Sequence, residues 1–248
     1  MRMRTALLSD IHGNREALAA CLAHIARNPV DRIIFMGDVV GYGADPVWCL
    51  ETVMSHCQKG ALALLGNHDE AVFKAENDMN AAALQAIEWT RKQMGADHLG
   101  FLREMPLLRE EGEILFVHAS AAGPHTWPYI IHPRDADVCL RYTSRRITIC
   151  GHVHRPQFFH APDGRPIEAF TPPPGVALPL LKGRRWVVVL GSVGQPRDGN
   201  PAAAYSILDA ETGRITMHRV PYDIESAARK IRAAGLPPRL ADRLHTGS

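Results

Sequence analysis

ITICGHVH, residues 147–154, decides how the chain is read. Ile147, Thr148, Ile149 and Cys150 run into Gly151, and His152 and His154 follow with only Val153 between them. A continuous apolar run of this kind suggests a strand buried on both faces. Residues two apart on an extended segment lie on the same side. The two imidazoles therefore leave the strand end together, which could serve a single metal ion or be no more than a turn.

The same pattern recurs outward from this stretch. Short apolar runs at 5–8, 32–36, 61–65, 114–117 and 186–190 each lead to a glycine, a histidine or a polar cluster. Residues 203–208 and 214–218 alternate more and flank a turn-like 209–213, which predicts an antiparallel hairpin. Leu18, Leu22 and Ile25 share one face of a predicted helix that Asn14 could cap and Pro29 ends. Residues 79–104 predict a helix pair, broken at 95–100, inserted between two core strands where it could flank or cover a site. Residues 224–234 predict another helix, ended by Gly235 and Pro237-Pro238, and the proline-rich 171–179 reads as a loop. Strands alternating with helices predict an α/β fold with its ligand site at the carboxyl ends of the strands. Residues 1–248 read as one domain carrying that helical insertion.

Composition narrows the function classes. The formal net charge is +2, so no strong pull toward nucleic acid or an anionic membrane is expected. The five cysteines show no CxxC spacing, which suits buried thiols in a reducing compartment. The basic N-terminus carries too short an apolar stretch for a signal peptide, and no run approaches a membrane span. The expectation is a soluble, cytoplasmic protein.

The strand ends carry the chemistry. In order they are Ser9-Asp10-Ile11-His12-Gly13-Asn14, then Gly37-Asp38-Val39-Val40-Gly41-Tyr42-Gly43, then Gly66-Asn67-His68-Asp69, then His118, then Gly151-His152-Val153-His154. Any one of these could be a turn, a helix cap or a satisfied core histidine. Five in succession, each after a buried strand, are poorly explained as separate accidents. Carboxylate and amide oxygens with neutral imidazole nitrogens suit manganese, iron or zinc. No cysteine stands within the polar clusters that follow the strands, which argues against a structural zinc site. About seven ligands are too many for one ion with an open position and right for two ions sharing a carboxylate. Such a pair can hold a hydroxide and clamp a phosphoryl group.

DIH (10–12), GDVV (37–40), GNHD (66–69), His118 and GHVH (151–154) resemble, in order, the motifs of the calcineurin-like metallophosphoesterases. GSVGQPRDG (191–199) and the strand pattern after it are similar to the small bacterial and archaeal phosphodiesterase branch. The resemblance implies a four-layer α/β/β/α sandwich of two mixed sheets flanked by helices. It implies one metal held by Asp10, His12, Asp38 and His154, and another held by Asp38, Asn67, His118 and His152, with Asp38 bridging. It implies that His68 faces the substrate, to protonate the leaving oxygen or stabilise phosphoryl charge, and that Asp69 orients His68. Two divalent ions (Mn, Fe, Zn or Ni, with Mn favoured) are the expected cofactors.

The expected activity is hydrolysis of a phosphodiester or phosphoanhydride by metal-bound hydroxide, with a dinucleoside polyphosphate among the candidate substrates. Phosphoprotein-directed relatives carry an arginine soon after the GD motif, where this chain has Val39-Val40-Gly41-Tyr42-Gly43. That departure weighs against the alternative of a phosphomonoesterase or protein phosphatase. A non-catalytic scaffold on the same fold would lack part of the histidine set, which is complete here. Arg197 is the candidate phosphate-gripping arginine, unless it pairs with Asp198. Tyr42 could stack on a base or sugar, and Asn14 could touch phosphate or cap the first helix. His125, Trp127 and His132 could line the pocket, while Lys230 and Arg232 read as a solvated face. The expected partner is a small phosphoester or nucleotide, without membrane, and the oligomeric state stays open.

Overall fold

In the computed structural model, which describes residues 3–74, 79–162 and 165–248, each of the six continuous apolar runs contains a strand. The chain begins with β1 (Arg4–Leu8), α1 (Arg15–Arg27), β2 (Arg32–Phe35), α2 (Pro46–Cys57), β3 (Leu62–Ala63) and α3 (Asn67–Phe73). It continues through α4 (Ala81–Gln93), α5 (Ala96–Glu104), β4 (Leu108–Glu111), β5 (Ile114–Val117), α6 (Pro133–Arg141) and β6 (Ile147–Cys150). Then come β7 (Gln157–Pro162), β8 (Glu168–Phe170), β9 (Ala177–Pro179) and β10 (Arg184–Val189). The hairpin β11 (Ala203–Asp209) and β12 (Arg214–Val220) leads to α7 (Ile224–Ala233) and α8 (Pro238–Thr246).

The strands form two mixed sheets, ordered β3-β2-β1-β11-β12-β9 and β4-β5-β6-β10-β7-β8. In the first, β1 runs parallel to β2 and antiparallel to β11. In the second, β6 runs parallel to both β5 and β10. Alternation along the strands divides the apolar side chains between two faces. Leu7 and Ile34 point from one sheet toward Ile147, Ile149, Trp186 and Val188 of the other, forming the core between the sheets. Their neighbours Ala6, Leu8, Ile33 and Phe35 pack outward against Leu18, Cys21, Cys49 and Leu50 of α1 and α2. On the far side, Leu115, Val117, Val187 and Val189 pack against Ala136, Cys139 and Leu140 of α6. Burial of both faces is why these strands read as unbroken apolar runs. The result is a four-layer α/β/β/α arrangement. A bridge between Ser9 and Ser192 joins the sheets just past β1 and β10, bringing the two sets of strand ends to one edge.

Several local expectations need correction. The helix pair breaks at Met94 and Gly95, the latter capping α5, whereas Gly100 lies inside α5. Residues 177–179 of the expected loop form the edge strand β9. The helix at 224–234 ends as expected, α7 closing at Ala233, but a further helix follows at once, with Pro238 in the first turn of α8, where a missing N–H costs nothing. Lys230 is not a free solvated cation: its Nζ reaches Glu16 Oε1 at 2.6 Å and Asp45 Oδ2 at 2.8 Å, tying α7 to α1 and to the start of α2. Arg232 pairs with Asp242 at 2.8 Å.

Candidate metal centre

The strand ends deliver their polar residues to one point. Asp10 and His12 follow β1, Asp38 follows β2, Asn67 and His68 open α3 after β3, His118 follows β5, and His152 and His154 follow β6. All are buried except Asn67, which is partly so. They form two groups: ligand atoms of Asp10, His12, Asp38 and His154 lie within 4.8 Å of one another, as do those of Asp38, His118 and His152. Asp38 belongs to both, its Oδ2 lying 3.6 Å from His12 Nε2 and 3.3 Å from His118 Nε2.

The ring orientations fit a cation. His12, His118 and His154 each place Nδ1 on a backbone carbonyl, of Val40 at 3.1 Å, Met36 at 2.7 Å and Gln195 at 2.7 Å. A carbonyl only accepts, so Nδ1 carries the hydrogen and Nε2 turns a lone pair inward. Yet Nε2 of His12 and Nε2 of His154 are 3.0 Å apart, and His154 Nε2 is 3.3 Å from Asp10 Oδ1. Facing lone pairs at that distance call for positive charge between them. Asn67 Oδ1 and His152 Nε2 are likewise buried without a hydrogen-bond partner. A donor set of carboxylates, an amide oxygen and imidazoles suits divalent ions of the manganese, iron and zinc type.

Electrostatics point the same way. Burial alone would pull the His118 imidazole down, but the Asp38 carboxylate outweighs it and lifts the pKa to about 9, so without a metal the Nε2 facing Asp38 takes up a proton, the positive charge that a cation would replace. Burial would raise Asp38, and the charges of His118 and His68 more than reverse that, holding it well below the usual carboxylate range. Burial lowers His152 to about 3 and His68 to about 4, so both rings are neutral near pH 7.

The backbone is strained here. Asp10, His12, Asp38, His152 and His154 have φ between 51° and 67°, in the left-handed region that side chains normally avoid. Each such residue costs on the order of 1–3 kcal/mol unless its surroundings enforce it, and such strain concentrates at functional sites. Close approach adds to the constraint. A Cβ on Gly66 would sit 2.2 Å from Asp38 Oδ1, and one on Gly194 would sit 1.7 Å from the Ile11 carbonyl oxygen.

Asp69 is placed differently from its expected role. It makes no hydrogen bond to His68 Nδ1. Its Oδ1 accepts from the backbone N–H of Val39 at 2.9 Å and Val40 at 3.1 Å, and its Oδ2 from Gly66 at 3.1 Å. The carboxylate thus clamps the loop after β2 to the start of α3. His68 Nδ1 is buried without a partner, and the ring lies 4.3 Å from Tyr42 and 4.7 Å from His12, centre to centre.

Asn14 is fully engaged by the protein. Its Oδ1 caps α1 by accepting from Ala17 N, and its Nδ2 donates to the Gly194 carbonyl at 2.8 Å. It positions the 191–199 loop rather than presenting a free group to substrate. Tyr42 covers His12 and His68, and the Arg197 guanidinium lies over the Tyr42 ring at 5.6 Å. Arg197 does not pair with Asp198, which binds Arg219 instead. His125 and Trp127 line a cavity of about 430 Å³ beside Asn67 and His152. His132 does not line it, and caps α6.

Residues the sequence did not announce complete the site. Gln195 fixes the His154 ring through its carbonyl and carries Arg197 on its side-chain oxygen, at 2.7 Å from Nη2. Ser192 Oγ donates to the Asp10 carbonyl at 2.8 Å. Tyr129 stacks on His152 with centroids 4.2 Å apart. Only the glycine-rich composition of 191–199 hinted at a loop that approaches a ligand site.

Comparison with known proteins agrees with this geometry. The calcineurin-like phosphoesterase superfamily domain matches residues 3–213. An uncharacterized protein of Methanocaldococcus jannaschii is 35% identical over 98% of this chain and 97% of its own. A metallophosphoesterase from Sphaerobacter thermophilus, solved by crystallography, is 34% identical over all of both chains, with a TM-score of 0.88. A hypothetical protein from Pyrococcus horikoshii shares the fold at 18% identity, covering 99% of each chain with a TM-score of 0.81.

Proposed function

The chain belongs to the calcineurin-like phosphoesterase superfamily and is a metal-dependent phosphoesterase, and from that premise we propose that it hydrolyses a phosphodiester or phosphoanhydride at a two-metal centre. Asp10, His12, Asp38 and His154 would hold one ion, and Asp38, Asn67, His118 and His152 the other. The observation that carries this reading is the pair of ligand clusters sharing Asp38. When bound, two divalent ions supply Lewis acidity, lowering the pKa of water and drawing charge from phosphoryl oxygens. Manganese is the favoured ion, and dinucleoside polyphosphates are the favoured nucleotide substrates to test.

The chain's own residues set the rest of the chemistry. The Val40, Met36 and Gln195 carbonyls lock three imidazoles in the ligand tautomer. His68, neutral because burial lowers its pKa to about 4, offers a hydrogen bond to developing phosphoryl charge rather than a ready proton. That suits a leaving group already stable as an anion, such as a phosphate or an aryloxide. Tyr42 shields the His12 and His68 rings from solvent on one side, and Arg197 adds a fixed cation behind it. The cavity beside His152, with Trp127 and Tyr129, has room for a planar group. The five free cysteines suit a reducing compartment, and we place the protein in the cytoplasm on that ground. No described helix is long and apolar enough to cross a membrane.

Purified protein supplied with manganese should hydrolyse bis(4-nitrophenyl) phosphate. Asp38→Asn should abolish turnover, and His68→Ala should lower kcat by about 10²-fold or more, the usual loss for one positioned donor. Both variants should keep the wild-type circular dichroism spectrum. Unchanged turnover in either would overturn the mechanism.

A further inference from the structure

Helix α8 turns two arginines toward the site from the far end of the chain. Its apolar face, Leu240, Ala241 and Leu244, packs with Tyr42, Ala83, Ala86, Ala228 and Ile231. Arg239 and Arg243, one turn apart, then lie beside Arg197 on the wall of an open cavity of about 480 Å³ that also touches Tyr42. Tyr42 is the ring that covers His12 and His68, so this cavity adjoins the metal centre across a single side chain.

The three guanidiniums meet neutral amide oxygens and the chain's last main-chain oxygen rather than acidic side chains. Gln195 Oε1, a neutral amide oxygen, accepts from Arg197 at 2.7 Å and lies 3.4 Å from Arg243 Nη1. Arg243 Nε donates to the main-chain oxygen of Ser248 at 2.7 Å, and Arg239 Nη2 to Asn80 Oδ1 at 2.6 Å. Among the described residues, no Asp or Glu side chain pairs with any of the three. Asp242 also lines this cavity, its Oδ1 paired with Arg232 at 2.8 Å, and Asp198 binds Arg219. Burial, and then the charge of Arg197, lower the Arg243 pKa, even though Arg243 Nε meets the main-chain oxygen of the last residue, Ser248. Arginine forks match phosphate oxygens in pairs, and three converging forks exceed what one monoanionic diester needs.

We propose that Arg197, Arg239 and Arg243 form a subsite for a second phosphoryl group, linked to the one that lies at the metal centre. The preferred substrate then carries a chain of phosphoryl groups, a phosphoanhydride of the nucleoside polyphosphate class rather than a simple diester. This rests on the hydrolytic reading above and deepens it. In hydrolysis, water supplies the entering oxygen, the bridging P–O bond breaks, and the departing phosphate keeps the bridging oxygen on the arginine side. The protons of water pass to solvent as the new phosphate ionises. A phosphate leaves as an anion without being protonated.

The test uses the full chain in two forms. Calorimetry on metal-free protein should show inorganic tripolyphosphate binding in the wild type. Its affinity should fall about tenfold or more in Arg239→Gln and in Arg243→Gln, the usual weight of a charge-assisted contact. With metal, the ratio of kcat/KM for diadenosine tetraphosphate to that for bis(4-nitrophenyl) phosphate should fall by a similar factor, through KM. Arg239 is exposed, so its variant keeps the test sound if Arg243→Gln melts early. Equal tripolyphosphate affinity in wild type and both variants overturns the subsite, as does a parallel loss on both substrates. Tighter binding of single-stranded oligonucleotide than of tripolyphosphate, lost in the same variants, overturns it in favour of a nucleic-acid surface. Wild-type turnover of the bis-aryl ester but not of polyphosphates removes the subsite alone. Turnover of neither, with tripolyphosphate still bound at the arginines, removes the hydrolytic reading and keeps the subsite.

Discussion

Replacing Asp69 by alanine separates two roles for a carboxylate next to His68. In the structure Asp69 accepts three buried backbone N–H groups, from Val39, Val40 and Gly66, and none from His68. Asp69→Ala leaves three donors without a partner. Each buried unsatisfied group costs about 1–3 kcal/mol. Taking the low end, since water can enter the space left by the carboxylate, the sum is about 3–5 kcal/mol. At roughly 2–4 °C per kcal/mol for a chain of this size, Tm of the metal-free protein should fall by about 6–20 °C. Asp69→Asn should cost less, about 1–3 kcal/mol. The amide oxygen can keep Val39 and Val40, while its NH₂ meets the Gly66 N–H as donor against donor.

The assay is urea and thermal unfolding of chelator-treated protein, followed by circular dichroism, with turnover measured separately. A carboxylate that served only to orient His68 would give the opposite pattern: activity lost, stability nearly intact. A shift below about 2 °C for Asp69→Ala, with turnover abolished, would refute the clamp.

Gly66→Ala forces a methyl group against Asp38 Oδ1, where a Cβ has only 2.2 Å; it should lower bound manganese, measured by elemental analysis, and cut turnover by about 10²-fold, as an ångström of misplacement commonly does. His152→Ala and His154→Ala remove ligands from different clusters, so each should first reduce the metal content from two ions per chain to one; loss of both ions together would contradict a two-site centre. Arg32 donates to both oxygens of Glu111, and this contact holds the Glu111 carboxyl below its ordinary value. A carboxyl lowered by folding stabilises fully above its unfolded pKa, and that gain is lost as pH falls through the folded one. Glu111→Gln should therefore cost up to about 1 kcal/mol near neutrality, the scale of a partly exposed pair, and the gap to wild type in urea unfolding should close below about pH 4.

The ligand set was legible because its physics is local. A strand buried on both faces is apolar almost throughout, so the first polar residues after it mark the strand end; Asp38, Asn67, His118 and His152 are the first such residues and Asp10 follows Ser9. The two-sheet architecture followed from the family resemblance rather than from the runs, which do not reveal that β1 and β6 belong to different sheets. Asp69 shows where local reading fails. Adjacency to His68 suggested that the two side chains meet, but consecutive residues in the first turn of a helix diverge by about 100°. His68 turns toward Tyr42, while Asp69 turns back to the β2 loop, thirty positions away in sequence.

The arginines of α8 were hidden for a further reason. Arg239 and Arg243 are spaced i, i+4 on a helix whose other face is Leu240, Ala241 and Leu244, and that pattern alone describes any solvated amphipathic helix. What turns a solvated stripe into an anion subsite is the surface on which the apolar face lands. Here that surface is built by Tyr42, Ala83 and Ala86, residues more than 150 positions earlier. Tyr42 thereby acts twice, covering His12 and His68 on one side and anchoring α8 on the other. Shortening its ring should loosen the helix and the metal centre together, whereas changing Arg239 removes the distal charge and one contact, to Asn80. Selectivity for linked phosphoryl groups is thus carried by a docking contact, and no motif at the strand ends encodes it.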